Sequence, residues 1–197
     1  FGENYIRFFK DGGILTEATK TITAITQANP AVVTSNSHGY SNGDRVFITG
    51  VVGMVELNNR EFTVAGVSTN TFQLSGINST SLTAYDSAGA SGKIVEVTTT
   101  YSETEIFEIN FAQSADVIFL AHKSHEPAKL TRTTTTSFTL SDIDFIDGPY
   151  QDENSTDTTI TSDANTGTVT LTASADLFVS GHVGALFQFR ERVEIGH

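Results

Sequence analysis

Residues 38–48 read His-Gly-Tyr-Ser-Asn-Gly-Asp-Arg-Val-Phe-Ile, a turn sequence that leads directly into a short apolar run. Asn42-Gly43-Asp44 is a strong turn signal, because glycine adopts a positive φ without steric cost and an Asp side chain accepts hydrogen bonds from nearby backbone N–H groups. The run that follows, residues 45–49, has the length and the branched residues of a strand. This stretch therefore predicts a strand that begins at a tight turn.

The same pattern extends along most of the chain. Short runs rich in Val, Ile, Thr or Phe are separated by Gly, Asn, Asp, Ser or Pro, and Thr is unusually frequent. Thr favours strands because its branched Cβ fits a pleated surface. The predicted strands of the first half are residues 5–10, 14–16, 21–26, 31–34, 45–49, 61–67, 71–74 and 93–99. The chain is therefore predicted to be mainly β, with a small β-barrel or sandwich module.

One helix is expected in the second half of the chain. Ser102-Glu103-Thr104-Glu105 has the form of a capping box, in which a Ser hydroxyl and a Glu carboxylate satisfy free N–H groups at a helix start. The apolar residues that follow predict a short helix over residues 102–110. Further strands are predicted at residues 116–121, 129–132, 137–140, 168–172 and 187–193.

Three parts are expected in the domain organisation. Residues 1–20 and 96–150 would form an outer antiparallel β domain, residues 21–95 an inserted small barrel, and residues 151–197 an acidic loop with a Thr-rich β tail. Insertions of this kind succeed where the two ends of the inserted domain lie close together. The positions predicted to form structural turns are Gly12, Gly13, Gly43, Asp44, Gly50 and Gly53.

Composition excludes several classes of function. The 197 residues carry a formal net charge of −12, which argues against a specific nucleic-acid binder because phosphate contacts need clustered Lys and Arg. The chain has no Cys, which removes disulfides, thiolate zinc sites and cysteine nucleophiles. No apolar run approaches the roughly 20 residues of a membrane-spanning helix, so no membrane insertion is expected. The only methionine is Met54, and we expect the chain to be a piece of a longer protein.

Acidic residues cluster in the second half of the chain. Asp142, Asp144 and Asp147 stand before Gly148, a spacing that invites comparison with a calcium loop because hard cations take clustered carboxylates. The third Asp is at position six of this run, whereas the EF-hand pattern requires position five. A solvated acidic loop fits better, so no metal and no cofactor are predicted. These three Asp residues are the weak candidates for a metal site.

Two histidines raise a second metal possibility. His122 and His125 are followed by Glu126, giving the order H-x-x-H-E at the end of a predicted strand. The zinc-protease motif needs two His four residues apart on a helix with the Glu between them, and Pro127 disfavours a helix here. A plain loop at a strand end is the favoured interpretation. The chain also has no G-x-S-x-G motif, so no catalytic residues are assigned and no enzyme is predicted.

The middle of the chain resembles a known module. The residues that carry the resemblance are 38–48, Gly50-Val51-Val52-Gly53-Met54-Val55-Glu56-Leu57-Asn58, Phe62-Thr63-Val64 and Asn70-Thr71-Phe72-Gln73-Leu74. Over about residues 21–95 they resemble a module of phage virion proteins that is compared with the first catalytic-cysteine half-domain of ubiquitin-activating enzymes. The resemblance implies a small β fold without ubiquitin chemistry, because the catalytic cysteine is missing.

The flanks resemble large tail proteins of phages. Residues 5–13 (Tyr-Ile-Arg-Phe-Phe-Lys-Asp-Gly-Gly) and 113–122 (Gln-Ser-Ala-Asp-Val-Ile-Phe-Leu-Ala-His) carry this resemblance, together with residues 127–132 and 144–150. Such proteins look like tail-tube or nozzle components of short-tailed phages and prophages. The resemblance implies a non-enzymatic structural protein whose partners are other tail subunits, with a homo-oligomer in the full-length protein. The implied location is the virion, and the host cytoplasm before assembly.

Two other functions stay open from the residues alone. A receptor- or glycan-binding module on a virion surface would need an exposed aromatic platform, for which the candidates are Tyr40, Tyr85, Tyr101 and Tyr150. A cell-wall or polysaccharide hydrolase would need paired carboxylates in a groove, which the acidic residues between 142 and 163 can supply.

Overall fold

The structure, a computed structural model, describes residues 1–145 and 150–189. Within these residues the chain is mainly β, as predicted, and its helical parts are three 3₁₀ turns, Val55–Leu57, Glu105–Phe107 and Ser180–His182. The chain divides into two compact units, Phe1–Ile143 and Asp144–His197.

The strands are β1 (Tyr5–Arg7), β2 (Phe9–Lys10), β3 (Gly13–Ile14), β4 (Lys20–Thr21), β5 (Ala24–Ile25), β6 (Val32–Thr34), β7 (Arg45–Val52), β8 (Arg60–Ala65), β9 (Thr71–Leu74), β10 (Ser87–Lys93), β11 (Glu96–Thr98), β12 (Asn110–Ser114), β13 (Val117–His122), β14 (His125–Arg132), β15 (Phe138–Asp142), β16 (Ile160–Ser162) and β17 (Leu171–Ala173).

Seven strands of the first unit form one antiparallel sheet with the order β4-β10-β7-β8-β9-β6-β5. The strand β8 changes partner along its length, since Arg60–Thr63 pair with β7 whereas Val64 and Ala65 pair with β9. The two end strands are consecutive in the chain, with only Ile22 and Thr23 between them. A barrel requires a continuous ladder around the sheet. The end strand β4 pairs with β10 and the end strand β5 pairs with β6, so the two end strands are not paired with each other and the sheet is open. A barrel was one of the two forms predicted from the sequence.

This sheet encloses a dense apolar core. The strands β8 and β9 alternate between buried and half-buried residues, which places Phe62, Val64, Phe72 and Leu74 on the inner side. The buried residues of this first cluster all lie between Ile22 and Leu74. The central part of the chain therefore has a hydrophobic core of its own, which a separately folding module requires.

A second core forms from the flanking residues. The strand β1 pairs with β11 in an antiparallel ladder, and β12, β13, β14 and β15 form a four-stranded antiparallel sheet. The buried members of this second cluster are Ile6, Tyr101, Leu120 and Leu130. The first core lies within the range predicted for the inserted module, residues 21–95. The second core lies within the ranges predicted for the outer domain, residues 1–20 and 96–150. The pairing of β4 with β10 also brings the two ends of the module together. The insertion itself stays a prediction.

The predicted turn positions take varied conformations. Gly12, Gly43, Gly50 and Gly53 have positive φ, whereas Gly13 begins β3 without one. The Asp44 carboxylate accepts a hydrogen bond from the backbone N–H of Ser41 at 2.8 Å, which closes the turn before β7.

The helical region at residues 102–110 is shorter than predicted. It consists of one 3₁₀ turn, Glu105–Phe107. The chain from Asn110 onward pairs with β13 as the edge strand β12, so the backbone groups that would extend the helix are used in a sheet. Tertiary pairing has overridden the local apolar spacing.

The second unit, described over residues 144–145 and 150–189, contains a short hairpin. The strands β16 and β17 pair through three residues each, so the strand predicted at residues 168–172 begins at Leu171. Of the strand predicted at residues 187–193, the part up to residue 189 is not in a strand and the remainder lies outside the described residues. Among the described residues there is no helix with the length and apolarity needed to cross a membrane.

Arg7 connects the two cores of the first unit. Its guanidinium lies 2.8 Å from the carboxylate of Glu96 and 2.8 Å from that of Glu61, which also binds Arg45 at 2.6 Å. Burial would lower the pKa of Arg7, yet its hydrogen bond to Glu96 and the charges of Glu61 and Glu96 raise that pKa overall. The side chain is only 15% exposed, so the ion pairs are partly shielded from water. Arg7 therefore links β1 to β8 of the large sheet as well as to its own partner β11.

The Arg7→Met substitution tests this junction. It keeps an unbranched chain of similar length but removes both charged hydrogen bonds, and we expect the free energy of unfolding to fall by about 1–2 kcal/mol. The matched control is Lys10→Met, because Lys10 is 61% exposed and lies 3.9 Å from Asp11. The control should change the free energy of unfolding by less than about 0.5 kcal/mol. Equal losses in urea denaturation would contradict a special role for Arg7.

Gly53 and Gly43 provide a second matched test. Both have positive φ, but a Cβ on Gly53 would overlap the Ala84 carbonyl oxygen, whereas a Cβ on Gly43 would meet nothing within 4 Å. We expect Gly43→Ala to cost about 1–2 kcal/mol through backbone strain alone. Gly53→Ala should cost at least about 3 kcal/mol, because the backbone must also move. Chemical denaturation followed by circular dichroism measures both values, and a Gly53→Ala loss no larger than that of Gly43→Ala contradicts the packing argument.

Candidate functional site

Three side chains that can bind metal converge beside the second core. Glu105, His122 and His125 each offer one ligand atom, and these atoms all lie within 4.8 Å of one another. Over residues 1–145 and 150–189, this is the one group of three or more His, Asp or Glu side chains that converges in this way. We call these three residues the His–Glu cluster.

A hairpin places the two histidines side by side. His122 ends β13 and His125 begins β14, with a two-residue turn between them, and the two residues are direct cross-strand partners. Directly opposed residues of an antiparallel pair lie on the same face of the sheet. The ring centroids are 5.0 Å apart. The histidines are therefore a strand pair flanking a hairpin turn, where a plain loop was expected.

An irregularity in β14 turns His125 toward the core. The register of the β13–β14 ladder shifts between Leu120 and His122, so that Leu120 pairs with Ala128 while His122 pairs with His125. Strict alternation from the buried Ala128 would place His125 on the outer face. The extra residue in β14 resets the alternation, as β-bulges do. Pro127, which has no N–H to donate, lies in this irregular stretch.

The 3₁₀ turn before β12 supplies the carboxylate. One oxygen of Glu105, Oε2, accepts hydrogen bonds from the backbone N–H of Ser102 at 2.9 Å and from its hydroxyl at 2.7 Å. These bonds, together with His125, lower the pKa of Glu105 to about 2. The other oxygen, Oε1, lies 3.2 Å from Nε2 of His125. Glu105 thus uses one oxygen to hold its own turn and directs the other at the histidines.

The Nδ1 and Nε2 atoms of the two histidines differ in their hydrogen bonding. Nδ1 of His122 accepts a hydrogen bond from the backbone N–H of Ser124 at 3.1 Å, and Nδ1 of His125 lies 3.2 Å from the Thr100 hydroxyl. The Nε2 atoms of both rings are buried and have no hydrogen-bond partner. The His122 side chain is 0% exposed. Leaving a buried polar atom unpaired costs about 1–3 kcal/mol, so two such atoms in one place need an explanation.

The surroundings of the cluster are apolar on one side and charged on the other. The buried ring of Tyr101 lies 4.8 Å from that of His125 and 6.1 Å from that of His122, measured between centroids. At the rim, a Glu108 carboxylate oxygen binds Lys123 at 2.7 Å and lies 3.6 Å from Nε2 of His122. The hydrogen bond from Lys123 lowers the pKa of Glu108, so this second carboxylate is also charged.

Of the acidic candidates from the sequence, Asp142 and Asp144 are not members of the His–Glu cluster. Asp142 ends β15 as the cross-strand partner of Ala128, and Asp144 belongs to the second unit. Asp147 lies outside the described residues. Glu126, the acid next to the histidines in sequence, is exposed, and the carboxylate of the cluster comes from Glu105 instead.

The tyrosines proposed for an aromatic platform are mostly used in packing. Tyr40 is buried and its hydroxyl bonds to Ser91, while Tyr101 is buried in the second core. The half-buried Tyr85 donates its hydroxyl to the carbonyl of Ala88. Tyr150 is more exposed and lies in the second unit.

The central module matches a known family. Residues 28–97 match the family model described as the ubiquitin-activating enzyme E1 FCCH domain. A search of the curated proteins finds no match. The family match spans about a third of the 197 residues, from before β6 into β11. All three residues of the His–Glu cluster lie beyond it. The resemblance of the middle of the chain to the first catalytic-cysteine half-domain of ubiquitin-activating enzymes is therefore confirmed for residues 28–97, and its relation to phage virion proteins stays a prediction.

Proposed function

We propose that this chain is a non-enzymatic structural component of a phage or prophage tail and acts through a β scaffold that contacts neighbouring subunits. The proposal starts from the resemblance of residues 5–13, 113–122, 127–132 and 144–150 to tail-tube and nozzle proteins. The match to the E1 FCCH domain adds a β module and no ubiquitin transfer, because a catalytic-cysteine mechanism needs a thiol that this chain does not contain.

The observation that carries the proposal is the outer edge of β12, with which no strand of residues 1–145 and 150–189 pairs. This strand is at one end of the four-stranded sheet, and all five of its residues are exposed. Its sequence, Asn-Phe-Ala-Gln-Ser, contains no charge and no proline. Edge strands of independent proteins are normally protected by charges, prolines or bulges, because their unpaired N–H and C=O groups bind other strands. An unprotected edge favours a protein that pairs with a neighbour.

Exposed phenylalanines lie along the same part of the surface. Phe111 in β12 is 73% exposed, and Phe107 in the preceding 3₁₀ turn is 86% exposed. Exposed aromatic residues next to a free strand edge supply apolar contact area for a partner. The partner that fits is a second copy of the same protein, because repeated copies around one axis form a closed ring.

Of the alternatives, glycan binding has the weaker basis. Two of the four tyrosines predicted for a sugar platform, Tyr40 and Tyr101, are buried. The free edge and its phenylalanines are accounted for by assembly.

The test is assembly of the full-length protein that contains this chain. We expect closed rings in negative-stain electron microscopy and one oligomer mass in light scattering. Ala112→Lys places a charge in the middle of the β12 edge and should raise the dissociation constant of the oligomer at least about tenfold. The matched control Ala164→Lys changes an exposed residue of the second unit and should leave the oligomer unchanged. A full-length protein that stays monomeric, or an oligomer equally sensitive to both variants, would refute the proposal.

A further inference from the structure

We propose that Glu105, His122 and His125 form a binding site for a divalent transition metal ion of the zinc type. The ion would fix the Glu105–Phe107 turn to the β13–β14 hairpin. This site is independent of the match to residues 28–97 and of the proposed assembly role.

The donor set selects the class of metal. Two imidazole nitrogens and one carboxylate oxygen suit Zn²⁺ and its neighbours in the first transition row, whereas Ca²⁺ and Mg²⁺ prefer oxygen ligands alone. Three protein ligands leave a fourth tetrahedral position for water. A Glu108 carboxylate oxygen lies 3.6 Å from Nε2 of His122, and its negative charge favours a bound cation.

The spacing of the ligand atoms fits a tetrahedral ion. With zinc bonds of about 2.0–2.1 Å, the ligand atoms of a tetrahedron are separated by about 3.4 Å. The distance from Nε2 of His125 to Oε1 of Glu105 is 3.2 Å, close to this value. No ligand pair of the cluster is more than 4.8 Å apart, so closing around an ion requires side-chain movements of about 1 Å.

The buried nitrogens point to an ion more strongly than the spacing does. His122 is fully enclosed, and its Nε2 atom has no hydrogen-bond partner. Nε2 of His125 is also buried and unpartnered, although Oε1 of Glu105 is only 3.2 Å away. A metal ion between these atoms would give each of them a partner.

Metal binding changes the tautomer of His122. Nδ1 of His122 accepts the backbone N–H of Ser124, an arrangement that in a neutral ring requires the proton on Nε2. When Nε2 binds the ion, that proton must move to Nδ1, and the hydrogen bond from Ser124 is lost. Ser124 is exposed in the hairpin turn, so its N–H can bond to water.

Zinc titration of the tag-free, EDTA-treated chain tests the site. We expect one Zn²⁺ per chain in isothermal titration calorimetry, with a dissociation constant of about 1 μM or tighter, and a rise in melting temperature of about 4 °C or more. Neither Mg²⁺ nor Ca²⁺ should raise the melting temperature. Failure to saturate below about 100 μM Zn²⁺ would overturn the proposal.

Two matched pairs of variants assign the ligands. Glu105→Gln and His125→Gln should each weaken zinc binding at least tenfold. Glu126→Gln changes an exposed acid of the same strand as His125, and His182→Gln changes a histidine of the second unit, so both should bind as tightly as the parent chain. Equal losses in a variant and its control would refute the assignment.

Cobalt absorption provides a readout that does not depend on the variants folding. Co²⁺ bound to the parent chain in a four-coordinate nitrogen–oxygen site should give visible absorption much stronger than that of hydrated Co²⁺, and added Zn²⁺ should abolish it. A spectrum identical to that of the hydrated ion would count against the proposed coordination whatever the variants do.

Discussion

The pairing of β1 with β11 is the contact on which the first unit depends. It joins residues near the start of the described chain to residues about 90 positions later, through three cross-strand pairs. Arg7 lies in this ladder and also binds Glu61 of β8, so its charge is shared between the two cores. Because the ends of the central segment meet here, the residues between them can form a sheet and a core without disturbing the flanks.

Most strands were predictable because short runs of branched and aromatic residues are separated by turn residues. The strand predicted at residues 71–74 is β9, and the one predicted at residues 45–49 begins at the first residue of β7. In both strands burial alternates, so that a half-buried residue separates the buried Val46 and Ile48 of β7 and the buried Phe72 and Leu74 of β9. The helix over residues 102–110 was overextended for the opposite reason. Its apolar spacing is compatible with a helix, but Phe107 and Phe111 are exposed and Asn110–Ser114 pair with β13.

The sequence showed the two histidines of the candidate site but did not place Glu105 beside them. The order H-x-x-H was noted, but the zinc-protease motif on a helix needs two histidines four residues apart. A spacing of three brings the two side chains together only across a two-residue hairpin turn, and that hairpin depends on long-range strand pairing. The irregularity in β14 made the orientation of the His125 side chain harder to predict, because regular alternation from Ala128 would place it on the outer face of the sheet. Glu105 was identified as a capping residue, and its Oε2 does bind Ser102. No local pattern shows that its second oxygen faces a hairpin from a later part of the chain.

The position of the His–Glu cluster gives the two proposals a physical relation. Glu105 begins the short turn that leads through Glu108 into β12, and the histidines belong to the hairpin formed by β13 and β14. Since β12 pairs with β13, an ion held by Glu105, His122 and His125 would cross-link the chain on both sides of the β12–β13 ladder. An edge strand that binds a partner benefits from such a restraint, because less conformational entropy is lost when the contact forms. An ion would give the buried nitrogens a partner, and it would order the edge through which we propose that the chain assembles.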